Sequence, residues 1–424
     1  MSPFRERFPP PCPAILAPHG ACRAARVKAA STLWPLAALL FALAACAPLR
    51  SERPAAYAFT GKPGQLLDLG LGRVLEEGEL GPRLAGARLV FLGEHHDEIE
   101  SHRFQARAIR ALIAQGKEVY VALEMFPPGA NDALADWSRG KLEEREFLAR
   151  SNWYEHWGFP WGDYRDLFLL FRDQRLPVRG INVTREQRKL AGEGTLAPEL
   201  KEEVGDLDLT VEPQRVYLAD TLNEVGHGDG MTSLGSPEFE RFLRIQVLWD
   251  HVMGTRAAQL TRAGSSQQVV VVLIGAGHLE HKLGANMRAA RARPDVAQLT
   301  VVERLVAARE VRPDTRVTIP IGLADIVRVG AYHDDDEKPG SLSALKLSAA
   351  EGGVRVDAVR ALAPSPMRAF QEGDLIESLN GKAFHDPIDL RLAYETFPPG
   401  STAHWMVRRE GLPVPMDLPI KGKD

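Results

Sequence analysis

Leu89-Val90-Phe91-Leu92-Gly93-Glu94-His95-His96-Asp97 is the stretch whose reading decides the fold. Apolar, β-capable residues run into a glycine, and two histidines and two carboxylates follow. A short apolar run closed by Gly predicts a buried strand. Its polar tail then falls at the strand's carboxyl end, where open α/β sheets place their ligand sites. A second stretch, Val269-Val270-Val271-Val272-Leu273-Ile274-Gly275-Ala276-Gly277-His278, repeats the design. Gly93-x-x-His96 and Gly275-x-x-His278 would set two imidazoles at the same edge of one sheet.

The surrounding chain alternates in the same sense. Ile99 to Gln115 places Phe104, Ala108, Ile109, Leu112 and Ile113 on one helical face, ended by Gly116. Val119 to Phe126 predicts a strand with Glu124 at its carboxyl end, broken by Pro127-Pro128-Gly129. Trp153, Tyr154, His156, Trp157, Phe159, Trp161 and Tyr164 crowd residues 152–164, where Pro160 argues against one continuous helix. A helix from Tyr164 to Arg175 leads to a strand Val178–Asn182 that ends on Asn182. Residues 191–240 are acidic and weakly periodic, with His227 in a Gly-rich turn, and are expected to lid the sheet edge. An amphipathic helix Phe242–Leu260 carries Gln246, Asp250, His251 and Met253. The second motif, a helix from His281 to Arg291, and strands Leu299–Val302 and Leu323–Val329 complete the pattern. This is an α/β fold with a mostly parallel sheet flanked by helices. Glu94 with His96, Glu124, Asn182 and His278 all emerge on one predicted edge.

At 424 residues the chain has room for two or three domains and a large core. Its net charge is -4, and the first 45 residues hold five basic side chains against one acidic, so the remainder is more acidic than the whole. A nucleic-acid surface, which needs a basic field, is disfavoured. The cysteines are Cys12, Cys22 and Cys46. Arg23, Arg26 and Lys28 precede the apolar run Leu33–Ala42, which has signal-peptide form and is too short to span a membrane. It closes on Leu43-Ala44-Ala45-Cys46, which resembles the lipobox of bacterial lipoproteins. That resemblance implies lipidation of Cys46, and Ala47 implies sorting to the outer membrane, facing the periplasm. Residues 1–46 are thus expected to be a lipoprotein signal peptide and 47–63 a Pro- and Ala-rich tether.

Over residues 64–333 the chain resembles the ChaN-like family of bacterial lipoproteins, implicated in haem or iron uptake, within a superfamily that includes Tiki-type metalloproteases and erythromycin esterases. The resemblance rests on Gly93 with His96, Gly275 with His278, and Glu124; Asn182 and the Gln246–Asp250–Met253 helix also fit. The acidic turn 334–340 marks a boundary. Beyond it, residues 341–424 resemble a bacterial PDZ domain, through Gly353-Val354-Arg355-Val356, Gly373-Asp374 and Asn380-Gly381, the last suited to a type I′ turn. Such domains add a peptide strand and hold its carboxylate on a Gly-containing loop. Leu342-Ser343-Ala344-Leu345, at that position, has no glycine, so packing on the first domain without a peptide stays open.

Two classes of function follow. In the first, the protein is a membrane-anchored haem or iron receptor. Its cofactor site would comprise Gly93, His96, Glu124, Asn182, Gly275 and His278, with Tyr154 or His156 supplying an axial ligand from the aromatic wall. In the second, His96, Glu124 and His278 hold Zn²⁺ or Mn²⁺ and Glu94 is the general base of a hydrolase. No His-Glu-x-x-His helix or Gly-x-Ser-x-Gly elbow is present. A hydrogen-bond network alone, with Asn182 and Asp250 as partners, is the structural alternative.

Overall fold

The computed structural model describes residues 56–60, 65–225, 234–312, 315–320, 322–332, 341–360, 365–398 and 400–420. The expected signal peptide, Cys46, the acidic linker and His227 lie outside the described residues. The chain enters through β1 (Ala56–Thr60), β2 (Leu66–Asp68), β3 (Arg73–Leu75) and α1 (Leu80–Ala85). The first motif ends β4 (Leu89–Glu94), followed by α2 (Ile99–Ala114) and β5 (Glu118–Leu123). Four helices come next: α3 (Asn131–Ser138), α4 (Glu144–Arg150), α5 (Trp153–His156) and α6 (Trp161–Asp173). After β6 (Val178–Gly180) lie α7 (Arg185–Gly192), α8 (Pro198–Val204), α9 (Glu212–Val225) and α10 (Pro237–Gln259). The second motif ends β7 (Gln268–Gly275). Then follow α11 (Ala285–Ala292), β8 (Gln298–Ala307), β9 (Arg316–Pro320) and β10 (Ile326–Tyr332).

The main sheet has eight strands in the order β3-β2-β10-β8-β4-β7-β5-β6. From β10 to β6 the pairing is parallel. The expected parallel sheet is therefore mixed, because β2 and β3 form an antiparallel hairpin at one edge. Part of the expected tether is also structured: β1 pairs antiparallel with β9 in a separate two-stranded sheet. The alternating Tyr57 and Phe59 give this segment a strand's character.

Because helices cover both faces, the inner strands read as unbroken apolar runs. Val90 and Leu92 of β4 join one core with Phe104, Ile109 and Leu112 of α2. Leu89 and Phe91 join the other with Met253 and Ala257 of α10 and Ala285 and Ala289 of α11. The connection after β4 runs through α2 toward β5, whereas that after β7 runs through α11 toward β8 on the far side of β4. The direction in which successive strands are added thus reverses between the parallel neighbours β4 and β7, the kind of switch point where open α/β sheets place a ligand crevice at the strands' carboxyl ends.

Residues 341–420 make a second sheet with its own core around Val354, Ile376, Leu390, Trp405 and Val407. It comprises β11 (Leu345–Ala350), β12 (Gly353–Val359), β13 (Leu375–Leu379), β14 (Lys382–Ala383), β15 (Thr402–Arg409) and β16 (Leu412–Pro419), with α12 (Pro387–Glu395). The order is β11-β12-β13-β15-β16, with β14 paired to β13. Asn380 and Gly381 both have positive φ, 50° and 77°, as a type I′ turn between β13 and β14 requires. Among the described residues no helix is long and apolar enough to cross a membrane.

Candidate functional site

The sheet order explains how residues distant in sequence meet. β7 lies between β4 and β5, so Glu94 with His96, Gly275 with His278, and Glu124 leave three neighbouring strand ends. They gather around Gly275. Its amide donates to a Glu124 oxygen at 2.6 Å. A Cβ placed on Gly275 would lie 2.9 Å from the His96 ring, so glycine makes room for the imidazole. Gly93 is similarly enclosed, with Ala276 Cα, Leu279 and the Val301 carbonyl each within 3.2 Å of a hypothetical Cβ.

His96 donates from Nδ1 to Glu94 Oε1 at 2.9 Å, which leaves Nε2 on the side of Gly275. Its ring meets Trp157 edge-on at 4.7 Å and Phe159 at 5.2 Å, and its side chain is 29% exposed. Glu94 itself is buried and fully engaged. Tyr164 donates to Oε1 at 2.7 Å, Gln105 donates to Oε2 at 2.7 Å, and His102 Nε2 lies 3.8 Å away. Burial would raise the Glu94 carboxyl, but the bonds and charges of His102 and His96 hold it well below the usual carboxylate range. The oxygens of Glu94, expected as a general base, accept from His96, Tyr164 and Gln105, an arrangement that orients the His96 ring.

His278 is built in the same way. Its Nδ1 donates to Asp250 Oδ1 of α10 at 2.7 Å, and Nε2 lies 3.4 Å from Glu124 Oε1. Asp250 is steadied by Gln214 of α9 at 2.7 Å, and Gln214 by Arg288 of α11 at 2.9 Å. The ring of Trp249 stands 5.9 Å from that of His278. Burial would lower the His278 imidazole, but the charge of Glu124 and the bond to Asp250 raise it to about 10. Burial likewise opposes His96, and the Glu94 bond with the charge of Glu124 carries it above the ordinary value. For Glu124, burial is outweighed by the charge of His278, which lowers the carboxyl.

Among the described residues no group of three or more His, Cys, Asp or Glu side chains is placed to hold a metal ion. His96, Glu124 and His278, expected to hold Zn²⁺ or Mn²⁺, come together at these strand ends through ion pairs and hydrogen bonds of the protein's own. Both nitrogens of His278 face carboxylates, Nδ1 at 2.7 Å from Asp250 and Nε2 at 3.4 Å from Glu124. Asn182 does not face the crevice as a ligand. Its amide donates to the Glu124 carbonyl at 2.8 Å and its oxygen accepts from Val183 at 2.7 Å, so it fixes the turn beneath Glu124.

The aromatic stretch divides. Pro160 does interrupt it, and α6 begins at Trp161 rather than Tyr164. Trp153 and Trp161 are core, while Trp157 and Phe159 wall His96. Tyr154 turns to the second domain, its hydroxyl 3.5 Å from Glu395 and its ring under Arg391 at 4.7 Å. His156 is exposed, with its ring 6.4 Å from Phe126. Sequence reasoning passed over His102, Gln105 and Gln214. His102 and Gln105 are polar residues on an otherwise apolar helical face, the one signal that marks them.

The geometry offers two Nε2 atoms and one carboxylate at a crevice flanked by Trp157, Phe159 and Trp249. Such a site can ligate iron, bond an acidic group, or shuttle a proton.

No curated protein matches the sequence. Among solved structures, "Cofacial heme binding to ChaN of Campylobacter jejuni" is 18% identical, spans 63% of this chain and 96% of that one, and superposes with a TM-score of 0.50. The type III effector HopBA1 is 17% identical over 66% of this chain and 99% of its own, with a TM-score of 0.31. An erythromycin esterase mutant, EreC in its open conformation, is 15% identical over 61% and 83%, with a TM-score of 0.35. The first of these shares the α/β fold. Residues 80–288, which hold all three converging side chains, match the model of the family described as haem-binding uptake, Tiki superfamily, ChaN.

Proposed function

We propose that this protein is a haem- or iron-binding lipoprotein of a bacterial uptake system, its cargo held at the carboxyl edge of the sheet. One observation carries the reading. His96 and His278 each have Nδ1 tied to a carboxylate and meet at neighbouring strand ends beside aromatic rings, with Nε2 of His278 3.4 Å from Glu124. A planar apolar ligand with acidic substituents suits this surface, since rings cover its faces and imidazoles meet its polar groups. Haem, when bound, supplies an iron that takes a nitrogen or oxygen ligand. His96, the more exposed imidazole, is the residue to offer one; His278, held as a cation between Glu124 and Asp250, is suited to a carboxylate. The match of residues 80–288 to a haem-binding family supports the same cargo.

Anchoring belongs to the proposal. Leu43-Ala44-Ala45-Cys46 after an apolar run supports lipidation of Cys46 and residence at the outer membrane, facing the periplasm. Residues 341–424 would act as a PDZ-type module, with a peptide or protein partner.

The test is a hemin titration of chain lacking its first 46 residues, followed by absorption. A Soret band that saturates, and that His96→Ala and His278→Ala weaken singly and abolish together, supports the proposal. Folded variants that bind hemin as the parent does would refute it.

A further inference from the structure

The second domain grips the segment that walls His96. Asp386, which caps α12, and Asp389 within it accept from Arg145 of α4 at 2.8 and 2.7 Å. One end of α12 presents Glu395, whose oxygens accept from the backbone of Gly162 at 2.8 Å and Trp161 at 3.3 Å. These are the first amides of α6, and the residue before them, Pro160, has no side chain able to cap them. Glu395 thus supplies, from another domain, the cap that this helix lacks. Arg391 lies over the Tyr154 ring, and its guanidinium donates to the carbonyls of Leu342 and Leu345 at 2.7 and 2.8 Å. Arg360 completes the contact: a Cβ on Gly158 would lie 3.0 Å from its guanidinium.

The other side of the same segment is the site. Trp157 and Phe159 pack on the His96 ring, and Tyr164, in the first turn of α6, donates to the Glu94 oxygen that holds His96. We propose that the second domain is a clamp, with Glu395 acting through the start of α6 and through Tyr164 and Glu94 to set the position of His96. Glu395 is a positioning residue, and anything that lifts α12 from α6 loosens the His96 half of the crevice. The His278 half is held separately by Asp250, Gln214 and Arg288. The inference does not depend on the cargo.

The full chain carrying Glu395→Ala tests it, with histidine ring signals followed by NMR and amide exchange followed by mass spectrometry. Loss of a helix cap should speed exchange across 157–164 by about fivefold. The His96 ring signals should shift while those of His278 stay, and Glu395→Gln, which keeps an acceptor, should restore both. Should Glu395→Ala disturb the whole fold, Arg145→Ala, on an exposed side chain, is read by the same comparison. Faster exchange in α12 with unchanged His96 signals would overturn the clamp. Equal shifts at His96 and His278 would overturn it as well, since they would mean a general loosening.

Discussion

At Gly275 a Cβ would come within 2.9 Å of the His96 ring and 3.6 Å of a Glu124 oxygen, so even one methyl forces the imidazole from its seat. Gly275→Ala is expected to cost about 1–3 kcal/mol by overpacking, read by denaturant unfolding, and to weaken hemin binding with it. Tyr164→Phe removes a donor from the buried carboxylate of Glu94. It is expected to cost about 1–3 kcal/mol and to leave the strands in place, which circular dichroism and denaturant unfolding together will check. At this scale the sequence was informative where a residue type is forced. The glycines and the histidines three residues after them were readable. The roles of Gln105, His102 and Gln214 were not: a polar residue on an apolar helical face marks His102 and Gln105 as unusual, but nothing local names the buried carboxylate that each one serves.

Strands at the sheet centre were legible because they are buried on both faces, as with Val269–Ile274. The hairpin of β2 and β3 was not, since three-residue strands leave no periodicity. Residues 191–240 were expected as helices and loops. The described residues of this stretch form the end of α7, all of α8 and α9, and the start of α10, with Gln214 of α9 reaching Asp250. Convergence of Glu124 with the two histidines followed from strand order, which the sequence implied only through its alternation. At α12 the pairing of elements gives a pH prediction. Burial raises the Glu395 carboxyl from 4.5 to about 7. Between those values the folded chain holds a proton that the unfolded chain has released, so this group's contribution to stability falls as pH rises through the window and is level beyond it. Denaturant unfolding at pH 5 and pH 7.5 should show a drop in the parent that is smaller in Glu395→Gln. Equal drops in the two would contradict it.

At the scale of the whole molecule, an α/β domain with its candidate site at the switch point meets a second domain that holds one wall, and a lipid anchor is proposed ahead of both. Cys46→Ser is expected to move the protein from the membrane fraction to the soluble fraction or to block its processing, as fractionation and intact mass will show. That residues 341–420 form a sheet of their own was legible in the turn signals Gly373 and Asn380-Gly381, but its engagement with Trp161 and Gly162 was not, since no local pattern encodes a contact between Glu395 and amides over 230 residues away. The central claim is that His96 and His278 face one cargo between β4 and β7. Anomalous scattering at the iron edge, from crystals of the chain grown with hemin, tests it most directly. The account predicts iron in the crevice bounded by His96, Glu124 and His278, beside Trp157 and Phe159; iron found only elsewhere on the molecule would contradict it.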